Sequence, residues 1–238
     1  MPWILLNSER MEPMNRFSWT DPPSQAAFPI ARPGYAYIGA AAFATAVFAL
    51  LGWEIPALIG LAAAFGICCF FRDPDRVIST NAAAVVSPAD GKIIEAGEIA
   101  GSSYYEGPCI KVSIFMTVFN VHVNRMPHEG VVEDIRYYPG RFVSANLDKA
   151  SLDNERNAVF MRTPGGTKYT VVQIAGLIAR RIICGLRIGD APERGQRFGM
   201  ICFGSRLDVY LPTDARLKVR IGEKVQAGTS ILGYLPES

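Results

Sequence analysis

The chain has 238 residues, a length that suits one ordinary domain with an appendage. Half of it is hydrophobic and 19% is charged, a composition that excludes a disordered chain. The 24 basic and 22 acidic residues leave a formal net charge of +2, so the chain lacks the charge excess of a nucleic-acid-binding protein. The five cysteines are odd in number and show no Cys-x-x-Cys spacing. This favours reduced thiols facing the cytoplasm over a disulfide framework or a metal site.

The most hydrophobic segment runs from Tyr35 to Phe71 and contains a single charge, which lies in the turn between its two halves. The halves, Tyr35–Leu51 and Ile55–Phe71, are each near the short end of what spans a bilayer, roughly 17 residues. Arg32 precedes the segment and Arg72 follows it. Positive residues at both outer ends predict a membrane-associated helical hairpin over residues 35–71, with both ends on the cytoplasmic face of the cell membrane. A pair of buried core helices is the alternative.

Residues 1–34 are rich in proline and show no clear period, so we interpret them as a loose leader. Residues 72–238 show short apolar–polar alternations between turn-forming residues, which predict a mainly β domain. The alternations cover Gly91–Glu98, Cys109–Met116, Lys168–Ile174, Arg206–Leu211 and Leu217–Ile221.

Two segments of this domain have the strand–turn–strand character of lipoyl-type hairpins. They are Val219–Gly233 and Ser87–Ile93, and together they predict a barrel-sandwich that is possibly duplicated. A lipoyl or biotin carrier needs an exposed lysine at the hairpin tip, and neither segment presents one there. The likeness therefore concerns the fold and not a carrier function.

The chain has two histidines, His122 and His128. The segment around His122 alternates strictly, so we expect Asn120, His122 and Asn124 to share one face of a strand. Polar neighbours of this kind hold an imidazole in one tautomer, as a general base requires. A surface histidine without a role is the alternative, and we interpret His128, which follows Pro127 in a predicted turn, as structural or solvated.

Ser205 follows Gly204 at the start of a predicted strand, outside the Gly-x-Ser-x-Gly pattern of a hydrolase nucleophile elbow. Because Gly204 has no side chain to hinder attack, the Ser205 hydroxyl is able to add to the Gly204 carbonyl once a base removes its proton. Asp90 lies in a Pro-Ala-Asp-Gly turn, where an aspartate usually bonds its own backbone.

Several phrases of the sequence together resemble the phosphatidylserine decarboxylases, in their short bacterial form. The resemblance covers residues 32–235 in order. The phrases are Phe70-Phe-Arg-Asp-Pro-Asp-Arg76, Ser87-Pro-Ala-Asp-Gly-Lys-Ile93, Val121-His-Val-Asn-Arg-Met-Pro127, Asp148-Lys-Ala-Ser-Leu-Asp-Asn-Glu-Arg156 and Arg197-Phe-Gly-Met-Ile-Cys-Phe-Gly-Ser-Arg206.

The resemblance implies a proenzyme that cuts itself between Gly204 and Ser205. Residues 1–204 become the beta chain and residues 205–238 the alpha chain, which begins with a pyruvoyl group made from Ser205. This covalent group is the only cofactor implied, with no metal. It forms a Schiff base with phosphatidylserine and acts as an electron sink during decarboxylation to phosphatidylethanolamine.

The resemblance also implies residue roles. Asp90 should orient His122, and His122 should deprotonate Ser205 and later supply a proton. Where many relatives carry a second histidine, this chain has Arg125, so either His122 does both tasks or Arg125 binds the substrate carboxylate.

We interpret Gly140–Asn157 as a mobile loop near the substrate, with Asn154, Glu155 and Arg156 as candidate contacts. A solvated loop without a role is the alternative.

The implied partners are phosphatidylserine in the membrane and the two chains of one precursor, with a homodimer as a further family expectation. Three other interpretations stay open. One is a membrane-bound serine esterase that uses Ser205, His122 and Asp90 without self-cleavage, and another is a non-catalytic, membrane-tethered lipoyl-like module. The third is a decarboxylase of archaeal lipids, which would differ only in the lipid tails.

Overall fold

A computed structural model describes residues 29–140, 154–176, 181–202 and 204–236. It begins with a short 3-10 turn, Arg32–Gly34, which leads directly into the helices α1 (Tyr35–Leu50) and α2 (Glu54–Phe70). Gly52 has a φ of 72° in the turn between the helices, a conformation that glycine adopts without strain. The bounds of both helices agree with the predicted halves of the hairpin to within one residue.

The two helices pack on each other but expose most of their apolar surface. Helix α1 has no buried residue, and in α2 only Phe70 is buried. The alternative of two buried core helices is therefore wrong. By length and composition, the helix over Arg32–Leu50 is apolar enough to cross a membrane, whereas Glu54–Phe70 is shorter. An apolar helix that is exposed on nearly all sides suits a lipid environment better than water.

The rest of the described chain is mainly β, which confirms the predicted fold class. Its strands are β1 (Ala84–Val86), β2 (Gly91–Ile99), β3 (Cys109–Met116), β4 (Val123–Arg125), β5 (Val131–Tyr138), β6 (Arg156–Arg162), β7 (Lys168–Ala175), β8 (Ile182–Cys184), β9 (Arg197–Ile201), β10 (Ser205–Leu211), β11 (Arg216–Leu217), β12 (Lys224–Val225) and β13 (Ile231–Tyr234).

These strands form three antiparallel sheets. The largest has the order β12-β2-β3-β10-β7-β6-β5, and the two smaller ones have the orders β1-β13-β11 and β4-β9-β8. Val123 on β4 and Met200 on β9 pack with Phe70 and Phe71 at the base of the hairpin. Phe198 on β9 instead joins the main core with residues of the large sheet. The sheet β4-β9-β8 therefore connects the hairpin base to the large sheet.

Two predicted boundaries are wrong. The expected strand Leu217–Ile221 ends at Leu217, because the chain turns at Ile221, where the Glu223 N–H donates to the Arg220 carbonyl at 3.2 Å. Residues 29–34 of the predicted leader are held against the hairpin base, where the Ala31 N–H donates to the Phe71 carbonyl at 2.8 Å. Residues 1–28 lie outside the described part of the chain.

The two lipoyl-like segments pair with each other. Strand β12 lies antiparallel to β2, with Lys224 opposite Lys92. The Ser87 N–H donates to the Ser230 carbonyl and the Gly228 N–H to the Ser87 carbonyl, both at 2.7 Å. The duplicated barrel-sandwich stays a prediction.

Candidate active site

Two connections between the large sheet and the sheet β4-β9-β8 run side by side. At one end Met116 of β3 pairs with Ser205 of β10, and at the other end Val123 of β4 pairs with Met200 of β9. His122 lies on one connection and Gly204 on the other. The sheet topology therefore brings the Gly204–Ser205 bond and His122 to the same region, although they are 82 positions apart in the sequence.

Ser205 is fully buried at the first position of β10, with Met116 and Ala175 as its neighbours on the flanking strands. Its hydroxyl donates to the Met116 sulfur at 3.3 Å. Gly204 has a φ of 65°, in the left-handed region that residues with a Cβ rarely adopt. The glycine is thus needed for the backbone conformation at this bond as well as for access to its carbonyl.

His122 is fully buried and is held as a neutral base. Its Nδ1 lies 2.9 Å from the Asn120 carbonyl, and because a carbonyl only accepts, Nδ1 carries the proton. Nε2 is then the unprotonated nitrogen, and it has no hydrogen-bond partner among the residues that the structure describes. Burial, reinforced by the nearby Arg72 guanidinium, lowers the pKa of His122 to about 4, against the opposing effect of the Asn120 hydrogen bond. At neutral pH the imidazole is therefore able to accept a proton.

The predicted strand face around His122 is not formed. Strand β4 begins only at Val123, and the residues before it form a turn. The His122 ring packs on the Phe70 ring, with centroids 4.3 Å apart, whereas Asn124 bonds Gln173 in the interior. His128 is buried elsewhere, with Nε2 at 2.9 Å from the Ala82 carbonyl, in line with a structural role.

Contrary to the expectation that Asp90 orients His122, the hydrogen bonds of Asp90 in the described part of the chain go to other residues. Both of its carboxylate oxygens accept from Arg76 Nη2, at 3.1 and 2.9 Å, and Oδ1 also accepts from the Ala227 N–H at 2.8 Å. The Asn120 carbonyl instead orients the imidazole. Asp90 therefore connects residues 72–91, where it bonds Arg76, to the segment that contains Ala227.

Arg125 is 2% exposed, and both terminal nitrogens of its guanidinium donate hydrogen bonds. It donates to the Gly195 and Pro74 carbonyls and to Asp73 Oδ1, at 3.0 to 3.1 Å. Burial and the neighbouring Arg197 lower the pKa of Arg125 to about 10, so it stays a cation at neutral pH. These contacts favour a structural role over the expected binding of a substrate carboxylate.

The candidate contacts of the Gly140–Asn157 loop fall into two groups. Asn154 donates from Nδ2 to the Ala175 carbonyl at 2.7 Å, and the Glu155 carbonyl accepts from the Ala175 N–H at 2.9 Å. Both therefore adjoin the strand neighbour of Ser205. Arg156 instead bonds the Tyr104 hydroxyl and stacks over Tyr138.

The predicted loop extends too far, because β6 already begins at Arg156. Residues 141–153, which make up most of that loop, lie outside the described part of the chain.

The sequence analysis missed a group of ion pairs at the base of the hairpin. Asp73 bridges two buried arginines, with Arg125 at 3.1 Å and Arg197 at 2.5 Å, and Arg197 also reaches Asp75 at 3.1 Å. The phrase Phe70–Arg76 carried the family resemblance, but its spacing does not reveal which acid pairs with which base. The pairs fix the start of the β domain against β4 and β9.

A second missed feature is a buried chain of amides. Asn157 donates to Gln173 at 3.1 Å, and Gln173 Nε2 donates to Asn124 Oδ1 at 2.9 Å and to the Ile183 carbonyl at 3.3 Å. Because Ile183 offers only an acceptor, Gln173 must present its nitrogen, and Asn124 must accept with its oxygen. The Asn124 Nδ2 group, fully buried, finds no hydrogen-bond partner within the described part of the chain. A free N–H donor therefore lies in the interior.

Arg206, the residue after Ser205, points to the opposite face of β10. It is 1% exposed and donates to Asp208 Oδ1 at 2.6 Å, to Ser113 Oγ at 2.8 Å and to Glu95 Oε2 at 3.1 Å. This buried ion pair holds the first residues of β10 to β2 and β3.

Comparison with known proteins identifies the family. A sequence model described as phosphatidylserine decarboxylase matches residues 64–233. The phosphatidylserine decarboxylase proenzyme of Geotalea uraniireducens is 49% identical over 87% of this chain and 97% of its own length. The proenzymes of Solidesulfovibrio magneticus and Syntrophus aciditrophicus are each 52% identical, over 85% and 86% of this chain and 94% and 96% of their own lengths.

These similarities overturn the interpretation as a non-catalytic module and do not favour the serine esterase. The chain belongs to the phosphatidylserine decarboxylase family and is a carboxy-lyase of phospholipid metabolism.

Proposed function

We propose that the chain cleaves itself between Gly204 and Ser205 and then decarboxylates phosphatidylserine to phosphatidylethanolamine with the pyruvoyl group so formed. Family membership supports the reaction. The observation that carries the self-cleavage is the glycine–serine bond at the buried start of β10, in the region of a neutral histidine with an unpartnered Nε2.

In the cleavage, His122 Nε2 takes the Ser205 hydroxyl proton, and the oxygen attacks the Gly204 carbonyl carbon. The bond between that carbon and the Ser205 nitrogen breaks as the protonated His122 gives the same proton to that nitrogen, which leaves an ester and a free amine. The unpartnered Asn124 N–H is a suitable donor to the negative charge that develops on the Gly204 oxygen. Loss of the Ser205 α-proton then expels the Gly204 carboxylate and leaves dehydroalanine, and water hydrolyses the tautomeric imine to the ketone and ammonia.

The surroundings of Ser205 fit a pyruvoyl group. The position is enclosed by Met116 and Ala175, which are apolar and suit an uncharged ketone. Once formed, the group supplies a carbonyl that binds the substrate amine and accepts the electrons left when carbon dioxide departs. Strand β10 pairs with β3 on one side and β7 on the other, so the new chain end stays in place after cleavage.

The chain's own residues divide the remaining tasks. His122, neutral at physiological pH, takes a proton from the substrate ammonium at Nε2 and delivers that proton to the carbon that lost its carboxylate. Asp90 holds the alpha chain to the beta chain through the Ala227 N–H. We assign Asn154 and Glu155 to the substrate-facing side, because they flank the strand neighbour of Ser205, and Arg156 to their support.

We place the protein at the cytoplasmic face of the cell membrane, with residues 35–71 as the anchor and residues 72–238 as the catalytic domain. The exposed apolar surface of both helices supports this location, since the lipid substrate lives in the bilayer. A homodimer and a duplicated barrel-sandwich belong to the same proposal.

The test is to incubate the purified chain with phosphatidylserine vesicles and to identify the products by mass spectrometry. Phosphatidylethanolamine and carbon dioxide are expected, and carbonyl reagents should stop the reaction. If the protein stays uncut and releases fatty acids from the lipid, it would instead be a serine esterase. Vesicles of archaeal-type ether lipids with serine headgroups test the remaining alternative.

A further inference from the structure

The turn between β3 and β4, residues 117–120, holds an aromatic side chain out to solvent. Phe119 is 83% exposed and its neighbour Val118 is 38% exposed. The turn is fixed by Asn120, whose Oδ1 accepts from the Thr117 N–H and hydroxyl, both at 2.8 Å. The Asn120 N–H also donates to the Thr117 carbonyl at 3.0 Å. Phe119 is therefore held outward by a hydrogen-bonded turn.

This turn is attached to the base of the hairpin. Arg72 donates from Nη2 to the Phe119 carbonyl and from Nη1 to the Cys69 carbonyl, both at 2.6 Å. One guanidinium thus joins the last turn of α2 to the tip of the β3–β4 turn. The end of the helix that carries the exposed Cys69 is therefore tied to the backbone of the exposed Phe119.

The same turn is connected to the catalytic base. The carbonyl of Asn120, next to Phe119, accepts the His122 Nδ1 proton. His122 also packs on Phe70 at the end of α2. The depth of Phe119 relative to a bilayer therefore fixes the depth of His122, because both are held to the hairpin base.

We propose that the 117–120 turn inserts Phe119 into the boundary between lipid headgroups and acyl chains, beside the hairpin, as a second membrane contact. Aromatic side chains are favoured at this depth, and the Arg72 stem crosses it with its charge at the headgroups. The inference rests on the proposed function, since it assumes that the hairpin associates with a bilayer. Its effect is to hold His122 at the level of the substrate headgroup.

Exposure alone does not single out Phe119. Ile188 and Ile221 are 64% and 66% exposed, and isolated exposed apolar residues are common on soluble proteins. What distinguishes Phe119 is its attachment to the apolar hairpin through Arg72. Ile221 lies in the turn before β12, whose Gly222 N–H bonds the Ile93 carbonyl, and so serves as a matched control.

The experiment measures the depth of a single tryptophan in the full chain. Trp3, Trp19 and Trp53 are replaced by phenylalanine, and the substitution Phe119→Trp or Ile221→Trp is added. Vesicles of phosphatidylcholine and phosphatidylserine with brominated acyl chains serve as quenchers. The tryptophan from Phe119→Trp should shift its emission to the blue and be quenched, whereas the one from Ile221→Trp should show neither change.

Three outcomes would overturn the inference. A vesicle-bound chain whose tryptophan at position 119 is unquenched contradicts it alone and leaves the decarboxylase proposal intact. A chain that does not bind vesicles contradicts the membrane premise as well. A blue-shifted emission without vesicles that depends on protein concentration would assign Phe119 to a contact between two copies.

A kinetic test complements the depth measurement. Phe119→Ser should raise the KM for phosphatidylserine in vesicles about tenfold and leave kcat nearly unchanged, because it removes a lipid contact worth part of a buried phenylalanine. Ile221→Ser should change neither constant. Normal self-cleavage of both variants reports that they fold, and an unchanged KM for Phe119→Ser would contradict the proposal.

Discussion

The ring of Phe70, the last residue of α2, packs on the imidazole of His122 with centroids 4.3 Å apart and an interplanar angle of 35°. The end of the hydrophobic hairpin is therefore a wall of the candidate active site. This contact removes water from the imidazole and contributes to the burial that lowers its pKa.

Replacing Phe70 should change the titration of His122. Phe70→Ala admits water to the ring, so the pKa of His122 should rise from about 4 towards its usual value of 6.5. The measurement is an NMR titration of the ring protons in the uncleaved Ser205→Ala background. Phe65→Ala, in the same helix but 70% exposed, is the control and should leave the pKa where it was.

Self-cleavage should depend little on the ionisation of His122 above about pH 5. For a histidine with the usual pKa, the fraction in the neutral, basic form falls to about one tenth at pH 5.5. With a pKa of about 4, His122 stays neutral there, so the cleavage rate should fall only at lower pH. A rate that halves near pH 6.5 would contradict the burial of this base.

The same depressed pKa makes the folded state sensitive to acid. In the unfolded chain His122 binds a proton below about pH 6.5, whereas in the folded chain it binds that proton only below about pH 4. Stability from this group is thus complete above pH 6.5 and is lost as the pH falls towards 4, by on the order of 3 kcal/mol. Comparing the pH dependence of the unfolding free energy with that of His122→Gln isolates the effect.

Gly204→Ala should slow self-cleavage. Gly204 has a φ of 65°, and an alanine there costs about 1–2 kcal/mol in the left-handed region, although no described residue apart from its chain neighbours has an atom within 4 Å of the added Cβ. Cleavage half-lives, read by gel, report the effect. Gly97→Ala, where a Cβ is also unobstructed but φ is not positive, should cleave at the normal rate.

Breaking the buried ion pair between Arg206 and Asp208 should destabilise the folded chain. Asp208→Asn leaves the Arg206 guanidinium buried without its strongest partner, a change that costs about 3–5 kcal/mol in comparable cases. The exposed pair Glu133–Arg162 is the control, and Glu133→Gln should cost at most about 1 kcal/mol. Equal effects in thermal or denaturant unfolding would contradict the burial argument.

Asp90 and Arg76 should behave as a coupled pair. Asp90→Asn and Arg76→Met each remove the ion pair at 2.9 Å, so the double variant should lose less stability than the sum of the single ones. The tautomer of His122, read from its ring-nitrogen NMR shifts, should be unchanged in Asp90→Asn. If the His122 proton leaves Nδ1 in Asp90→Asn, this would show that Asp90 orients the imidazole as the family resemblance implies.

The sequence predicts the parts of the fold that local pattern determines. A long apolar segment with a turn in its middle gives both helices to within one residue, and a short apolar–polar alternation gives β3 at Cys109–Met116. Alternation fails at Asn120–His122, because the hydrogen bonds of the 117–120 turn override the strand preference there. A short polar turn and a short strand have the same pattern at this length.

The site residues were found through family phrases, but their partners were not. Asp90 pairs with Arg76, 14 positions earlier, and nothing in that spacing marks Arg76 as its partner. The carbonyl that orients His122 belongs to the backbone and leaves no mark in the side-chain sequence. Arg125 pairs with Asp73, which lies 52 positions away in the sequence.

The most direct test of self-cleavage is the intact mass of the purified protein, measured beside Ser205→Ala. We expect the wild type to give two chains, produced by a break between Gly204 and Ser205. The smaller chain should be lighter than its sequence by the mass of one ammonia. The Ser205→Ala variant should stay whole. A folded wild-type chain that remains uncut when freshly prepared from membranes would contradict the pyruvoyl mechanism and favour the serine esterase.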